Sequence, residues 1–197
     1  MNTIKYIFFL ICLGLSFGFT QNSCAAADYP PNGKDYWSLL GGYGCSAPGW
    51  GATTERVKTF DGYLRYNHIL NRNIGEDWHR FNQELWIELP VIVVVEPGLE
   101  LMTGMNFICG LVFNAVPSVN PYVFIGGGPF YTTAAIPGMG SKLCGNYLAG
   151  AGVRWLSDEK SYTNLEVRYH HVSNMGLVYP NVPINSAKIM GGVSYYF

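Results

Sequence analysis

The sequence predicts an all-β fold, an eight-stranded antiparallel transmembrane β-barrel of the outer membrane. Three observations predict it. Apolar and polar residues alternate with period two along several segments, and turn residues separate those segments. Charged residues are only 13% of the chain, low against the typical ~25%, while Gly (24) and Tyr (14) are abundant. The longest apolar run after residue 27, Leu89 to Val95, is far too short for a membrane helix. The rival is a soluble β-sandwich or lipocalin-like barrel, which would bury its apolar face and show its polar one. An aromatic carboxy-terminus at Phe197 and an export leader favour the membrane form.

Residues 1–27 read as a secretory signal. Lys5 supplies the positive start, Tyr6 to Phe19 is an apolar run of 14, and Ala25-Ala26-Ala27 offers a small-residue cleavage site. Cys24 raises the question of a lipoprotein, but Gln21, Asn22 and Ser23 fit a lipobox poorly. Residues 28–197 then form a single barrel domain. Losing the leader removes one Lys and no acid, leaving 11 basic against 13 acidic side chains. With no basic stripe, a nucleic-acid partner is not expected.

Eight strands are expected at about 36–44, 56–70, 80–96, 98–113, 120–132, 143–156, 161–173 and 187–197. In the second, Lys58, Phe60, Gly62, Leu64 and Tyr66 oppose Val57, Thr59, Asp61, Tyr63, Arg65 and Asn67. The third is the clearest: Leu85, Ile87, Leu89, Val91, Val93 and Val95 oppose Glu84, Trp86, Glu88, Pro90, Ile92, Val94 and Glu96. A turn at Glu96-Pro97-Gly98 leads into the fourth. The fifth carries Pro121 to Pro129 with Gly126-Gly127-Gly128, which lacks the Lys-Ser/Thr and the helix of a phosphate loop and relieves crowding or allows curvature instead. In the sixth, Tyr147, Ala149, Ala151, Val153 and Trp155 oppose Leu148, Gly150, Gly152 and Arg154, before a turn at Ser157 to Lys160.

The polar faces collect Asp61, Arg65, Glu84, Glu88, Arg154, Glu166 and Arg168, expected to point inward and pair with one another. Cys45, Cys109 and Cys144 allow at most one disulfide, and no Cys/His metal spacing appears. As small buried or lipid-facing hydrophobes they need no further role.

The last two strands hold the oddity. Leu165, Val167 and Tyr169 form the apolar phase of the seventh strand, and the same phase continues into His171 and Ser173. Both termini of an even-stranded barrel lie on the periplasmic side, so these two residues sit at the outer-leaflet end, before a long extracellular loop from Asn174 to Ser186. Two residues apart on a strand, they project from one face. A serine needs an adjacent base to become a nucleophile, and the base needs an orienting third group. His-x-Ser alone is a weak signal, since an exposed His/Ser pair is usually plain surface. On a lipid-facing phase it is stronger, because polar groups there lack water.

His171-Val172-Ser173-Asn174-Met175-Gly176, with Pro180-Asn181 and Asn185 downstream, resembles the carboxy-terminal signature of the PagL-type lipid A 3-O-deacylases, an outer-membrane family of eight-stranded barrels. The specific match covers about 169–197; Pro121 to Pro129 also looks like the family's glycine-rich fifth strand. The resemblance implies that Ser173 is the nucleophile and His171 the general base. It implies that Asn181 and the Gly176 N–H stabilise the oxyanion, with Asn174 in support. It departs at one place: the family has a Glu fourteen residues after the His, and here that residue is Asn185. An Asn oxygen can orient a histidine ring but brings no full charge.

The function expected from the resemblance is an outer-membrane serine esterase that removes an ester-linked 3-O-acyl chain from lipid A of lipopolysaccharide, the chain lying along the outer wall beside Tyr169 and Val167. No metal or organic cofactor is implied. The expected partners are lipid A and outer-membrane lipids, and a homodimer is compatible with the sequence. Lys188 and Lys142 are candidate anion partners, with surface solvation as the plainer role. Because of Asn185, the alternative is a weak or inactive barrel of the same fold with an envelope-structural or adhesive role; a soluble lipid-binding barrel is the third reading. His170 belongs to the lumen-facing phase, and His68 and His79 flank a solvated turn, so none of the three is a site candidate.

Overall fold

A computed structural model describes residues 35–76, 79–114, 118–133, 136–157 and 160–197. The expected leader at 1–27 and the middle of the Ser157 to Lys160 turn lie outside the described residues. The strands are β1 (Asp35–Ser46), β2 (Lys58–Ile74), β3 (Phe81–Glu96), β4 (Glu100–Gly104), β5 (Asn106–Phe113), β6 (Val119–Thr132), β7 (Leu143–Leu156), β8 (Ser161–Ser173) and β9 (Ile184–Tyr196). Every pairing is antiparallel, and β1 pairs with both β2 and β9, so the sheet closes on itself. Closure leaves no strand edge unpaired.

β4 and β5 are two halves of the expected fourth strand, so the ring has eight members. β3 runs against both halves in one unbroken register, from Val94 opposite Glu100 to Phe81 opposite Phe113. β6 does the same from Thr132 to Tyr122. The interruption at Met105 falls where prolines sit on both flanking strands, Pro90 in β3 and Pro129 in β6. A proline gives no N–H to the ladder, so pairing thins at that level, although Met105 still donates its N–H to the Pro129 carbonyl at 3.1 Å.

The alternation expected from the sequence sorts the side chains. Leu39 (62% exposed), Phe60 (59%), Val91 (54%) and Val167 (55%) stand on the outer wall. A belt of such exposed apolar side chains is stable against lipid and not against water. Trp37, Trp155 and Tyr195 lie toward the end of the barrel where β1 begins and β9 finishes, and Tyr43, Tyr131 and Tyr147 toward the opposite end. The interior is filled. At the waist Arg65 pairs with Glu88 (2.8 Å) and Glu166 (3.2 Å), and Arg168 with Glu88 (2.9 Å) and Glu166. Tyr122 donates to Glu166 at 3.0 Å, and Asn106 to Glu88 at 3.1 Å. Two guanidinium groups and two carboxylates thus balance charge where ions must be paired to be buried at all.

Lys188 corrects an expectation. It is buried inside the barrel and pairs with Asp61, so it does not meet a surface anion. Its neighbours Ala187 and Ile189 take the outward phase of β9, which turns Lys188 inward. Lys142 is exposed. Cys45, Cys109 and Cys144 form no disulfide among the described residues. His170 is buried with its ring edge-on to Phe130, while His68 pairs with Asp35 at 2.6 Å.

Candidate active site

The outward phase of β8 stacks Tyr169, His171 and Ser173 in one column at the outer end of the strand. Register brings in the neighbours. His171 lies opposite Tyr147 of β7 on one side and Asn185 of β9 on the other. Ser173 lies opposite Gly145. The Tyr147 ring stacks on the His171 imidazole, with centroids 4.1 Å apart and planes 17° from parallel. This clamp limits rotation of the imidazole about its side-chain bonds. The separation of fourteen positions between His171 and Asn185 is therefore no obstacle: residues 174–183 fold the chain back, a shorter loop than the expected Asn174 to Ser186 because β9 begins at Ile184, and the two come side by side.

Asn185 is the centre of the polar contacts. Its Oδ1 meets His171 Nδ1 at 2.7 Å and accepts the Tyr169 hydroxyl at 2.6 Å. Its Nδ2 donates to the Trp50 carbonyl at 2.9 Å, and its backbone N–H to Thr53 Oγ1 at 2.9 Å. Asn185 belongs to the outward phase of β9, yet it is only 5% exposed. The loop of residues 47–57, between β1 and β2, lies over it.

Beyond Ser173 the chain turns sharply, with positive φ at Met175 (58°) and Gly176 (76°). Asn174, fully buried, holds this turn. Its Nδ2 donates to the carbonyls of Met139 (2.6 Å), Val178 (2.7 Å) and Pro180 (3.0 Å), and its Oδ1 accepts the Gly176 N–H at 3.0 Å. The Asn174 N–H donates to Asn181 Oδ1 at 2.9 Å. The Gly176 N–H is thus already engaged, whereas the Asn181 amide nitrogen takes no bond among the described residues and lies beside Gly176. Ser173 Oγ accepts a long bond from the Met175 N–H at 3.4 Å; no bond joins it to His171 among the described residues. Catalytic hydrogen bonds commonly tighten only with substrate in place.

Directly below this group a groove of ≈ 700 Å³ runs along the outer wall. Its floor is small: Ala149, Gly150, Ala151 and Ala187. Its sides are Tyr43, Trp50, Val167 and Tyr169. Trp50 meets Tyr169 edge to face at 5.9 Å. Among the described residues, no group of three or more His, Cys, Asp or Glu has a metal-holding arrangement.

Ser173, His171, Asn174, Gly176, Asn181 and Asn185 therefore all lie around one outward-facing rim. Tyr147, Trp50 and Thr53 belong to it as well, and the sequence pattern did not reveal them. They come from β7 and from a loop over a hundred residues away, and barrel closure alone brings them near. Glu166, on the other face of β8, is enclosed in the lumen and does not reach His171.

A family model described as Lipid A 3-O-deacylase (PagL) matches residues 64–194. Among solved structures, the chain is similar to the outer membrane enzyme PagL, at 19% identity over 80% of this chain and 97% of that one, with a TM-score of 0.57. It is also similar to Neisserial surface protein A (NspA), at 12% identity over 83% and 97%, with a TM-score of 0.60. No curated protein matches the chain.

Proposed function

The chain belongs to the lipid A 3-O-deacylase (PagL) family of bacterial outer-membrane barrels, and from that membership we propose that it is a serine esterase that removes the ester-linked 3-O-acyl chain of lipid A. The observation that carries this reading is the His171–Asn185 bond of 2.7 Å, formed on the outer wall beside Ser173. On this reading Ser173 is the nucleophile, His171 the base and Asn185 the base-orienting group, all on the outward face at one end of the barrel.

Ser173 Oγ attacks the ester carbonyl as His171 Nε2 takes its proton, while Asn185 Oδ1 keeps the Nδ1 proton in place. A rotation of the serine about χ1 brings Oγ toward the imidazole; staggered wells make such a change local. The tetrahedral oxyanion takes a hydrogen bond from Asn181 Nδ2, the donor left unengaged; the Gly176 N–H joins only if Asn174 Oδ1 releases it. Collapse breaks the ester C–O bond, and His171 returns its proton to the departing 3-hydroxyl of lipid A. Water then attacks the acyl-serine with His171 again as base; the acyl C–Oγ bond breaks, His171 returns the proton to Ser173 Oγ, and a free fatty acid leaves. The apolar groove beside Val167 and Tyr169 suits the acyl chain, which stays in contact with the lipid phase throughout.

The test is the lipid A of cells that produce the protein, read by mass spectrometry. The expected result is loss of one 3-O-linked acyl chain, abolished by Ser173→Ala and by His171→Ala. Lipid A unchanged by the wild type overturns the reading. One observation favours a second reading, a barrel with an envelope-structural or adhesive role: Asn185 brings no charge to the histidine. The corresponding Asp-to-Asn change in a serine protease triad costs ~10⁴ in kcat, largely through the wrong tautomer. That reading expects wild type and Ser173→Ala to give the same lipid A profile.

A further inference from the structure

We propose that the loop of residues 47–57 is a positioning element that sets the ring tautomer of His171 through the side-chain amide of Asn185. The purpose of this device rests on the esterase reading; its geometry does not.

The three side chains Tyr169, Asn185 and His171 do not by themselves fix where the protons lie. A tyrosine hydroxyl donates or accepts, a neutral imidazole nitrogen does either, and an amide can be turned by half a rotation. The Trp50 carbonyl removes the ambiguity, because it only accepts. Lying 2.9 Å from the Asn185 amide, it requires the NH₂ to face the loop. Oδ1 then faces His171 and Tyr169, and having no proton of its own it requires one on His171 Nδ1. Nε2 is left with its lone pair, the form a general base needs. The reverse amide orientation would set two acceptors against each other.

Two further features hold the loop to this task. Buried Thr53 accepts the Asn185 backbone N–H, so the loop grips the residue at both ends, and the Thr53 N–H in turn reaches the Trp50 carbonyl at 3.2 Å. Gly51 has φ of +59°, and a Cβ there would stand 2.9 Å from Asn185 Nδ2. Only glycine lets the loop backbone come this close in this conformation. With the loop in place, Asn185 is screened from water that would offer its amide other partners. An amide held so can orient the histidine where the family has a carboxylate.

The experiment uses the full chain in lipid nanodiscs with ¹⁵N-labelled histidine, reading ring tautomers from two-bond nitrogen–proton correlations and assigning His171 by its loss in His171→Gln. The wild type is expected to carry the proton on Nδ1. Gly51→Ala and Thr53→Val are expected to shift His171 toward a mixture, with deacylation falling about tenfold in kcat and little change in KM. Tyr169→Phe removes the ambiguous partner and is expected to leave the tautomer as it is. The proposal is overturned if wild-type His171 is protonated on Nε2, if both loop variants keep the wild-type tautomer in a folded barrel, or if Tyr169→Phe changes it. An Nδ1 proton that the loop variants disturb, in a protein that leaves lipid A intact, supports the positioning role and overturns the esterase reading.

Discussion

At residue 185 an amide stands among three groups, and each of its atoms has a partner of the matching kind. This makes Asn185 more than a diluted carboxylate. An Asn185→Asp change keeps the size and restores the charge, but it turns a second oxygen toward the Trp50 carbonyl where a donor stood. Two buried acceptors at that distance leave one unsatisfied, a loss of about 1–3 kcal/mol. The expected outcome is lower stability for Asn185→Asp in denaturant unfolding; equal or greater stability would argue against the arrangement. Asn185→Leu removes the acceptor altogether, freeing the histidine to take the wrong tautomer, and should lower deacylation by up to ~10⁴, measured as the rate of fatty-acid release. His171 and Ser173 were legible as candidates because an outward phase should be apolar and here it is not, whereas Asn185 was a candidate only through the family resemblance, at the place of its Glu. Tyr147, Trp50 and Thr53 were not legible: nothing in the composition of β7 or of the 47–57 loop marks them, and they matter only through register and loop placement.

At the level of strands, period-two alternation told inside from outside along β2, β3, β7 and β8. It did not give the break in the fourth strand, because that break comes from prolines on two other strands, Pro90 and Pro129, meeting it at one height. The crowding expected at the glycines of this region is found at Gly128 in β6. A Cβ there would run into the Met105 carbonyl, so β5 and β6 approach closely at the point where pairing is thinnest. The network at the waist also spans elements: Arg65 from β2, Glu88 from β3, and Glu166 and Arg168 from β8. Arg168→Met would leave Glu88 and Glu166 enclosed with one cation between them. Removing one partner of a buried ion pair costs about 3–5 kcal/mol, so this variant should unfold at markedly lower denaturant or temperature. Heat-modifiable migration on gels gives the readout, and an unshifted transition would count against the network's role.

For the whole molecule, the decisive property is an apolar exterior around a filled, charged interior, which is stable only in a bilayer. Val167 lies midway along β8 on that exterior. Val167→Arg should destabilise the membrane-inserted barrel by about 2–4 kcal/mol, the cost of a basic residue near the midplane, measured by reversible folding into lipid vesicles. A much smaller cost would mean that this wall does not face lipid. The groove beside Val167 opens to the same phase, so under the esterase reading a lipid substrate would reach Ser173 from within the leaflet.

Local signals suffice for the barrel, its strand count, its two faces and the His171–Ser173 juxtaposition, since alternation, turn residues and a polar break in an apolar phase can all be read along a single segment. What surrounds those two residues comes from long-range contacts. Closure sets Tyr147 against His171, turns Lys188 inward, and lays the 47–57 loop over Asn185. Those contacts join segments far apart along the chain. Their geometry depends on register and on the path of loops, which period and composition do not specify.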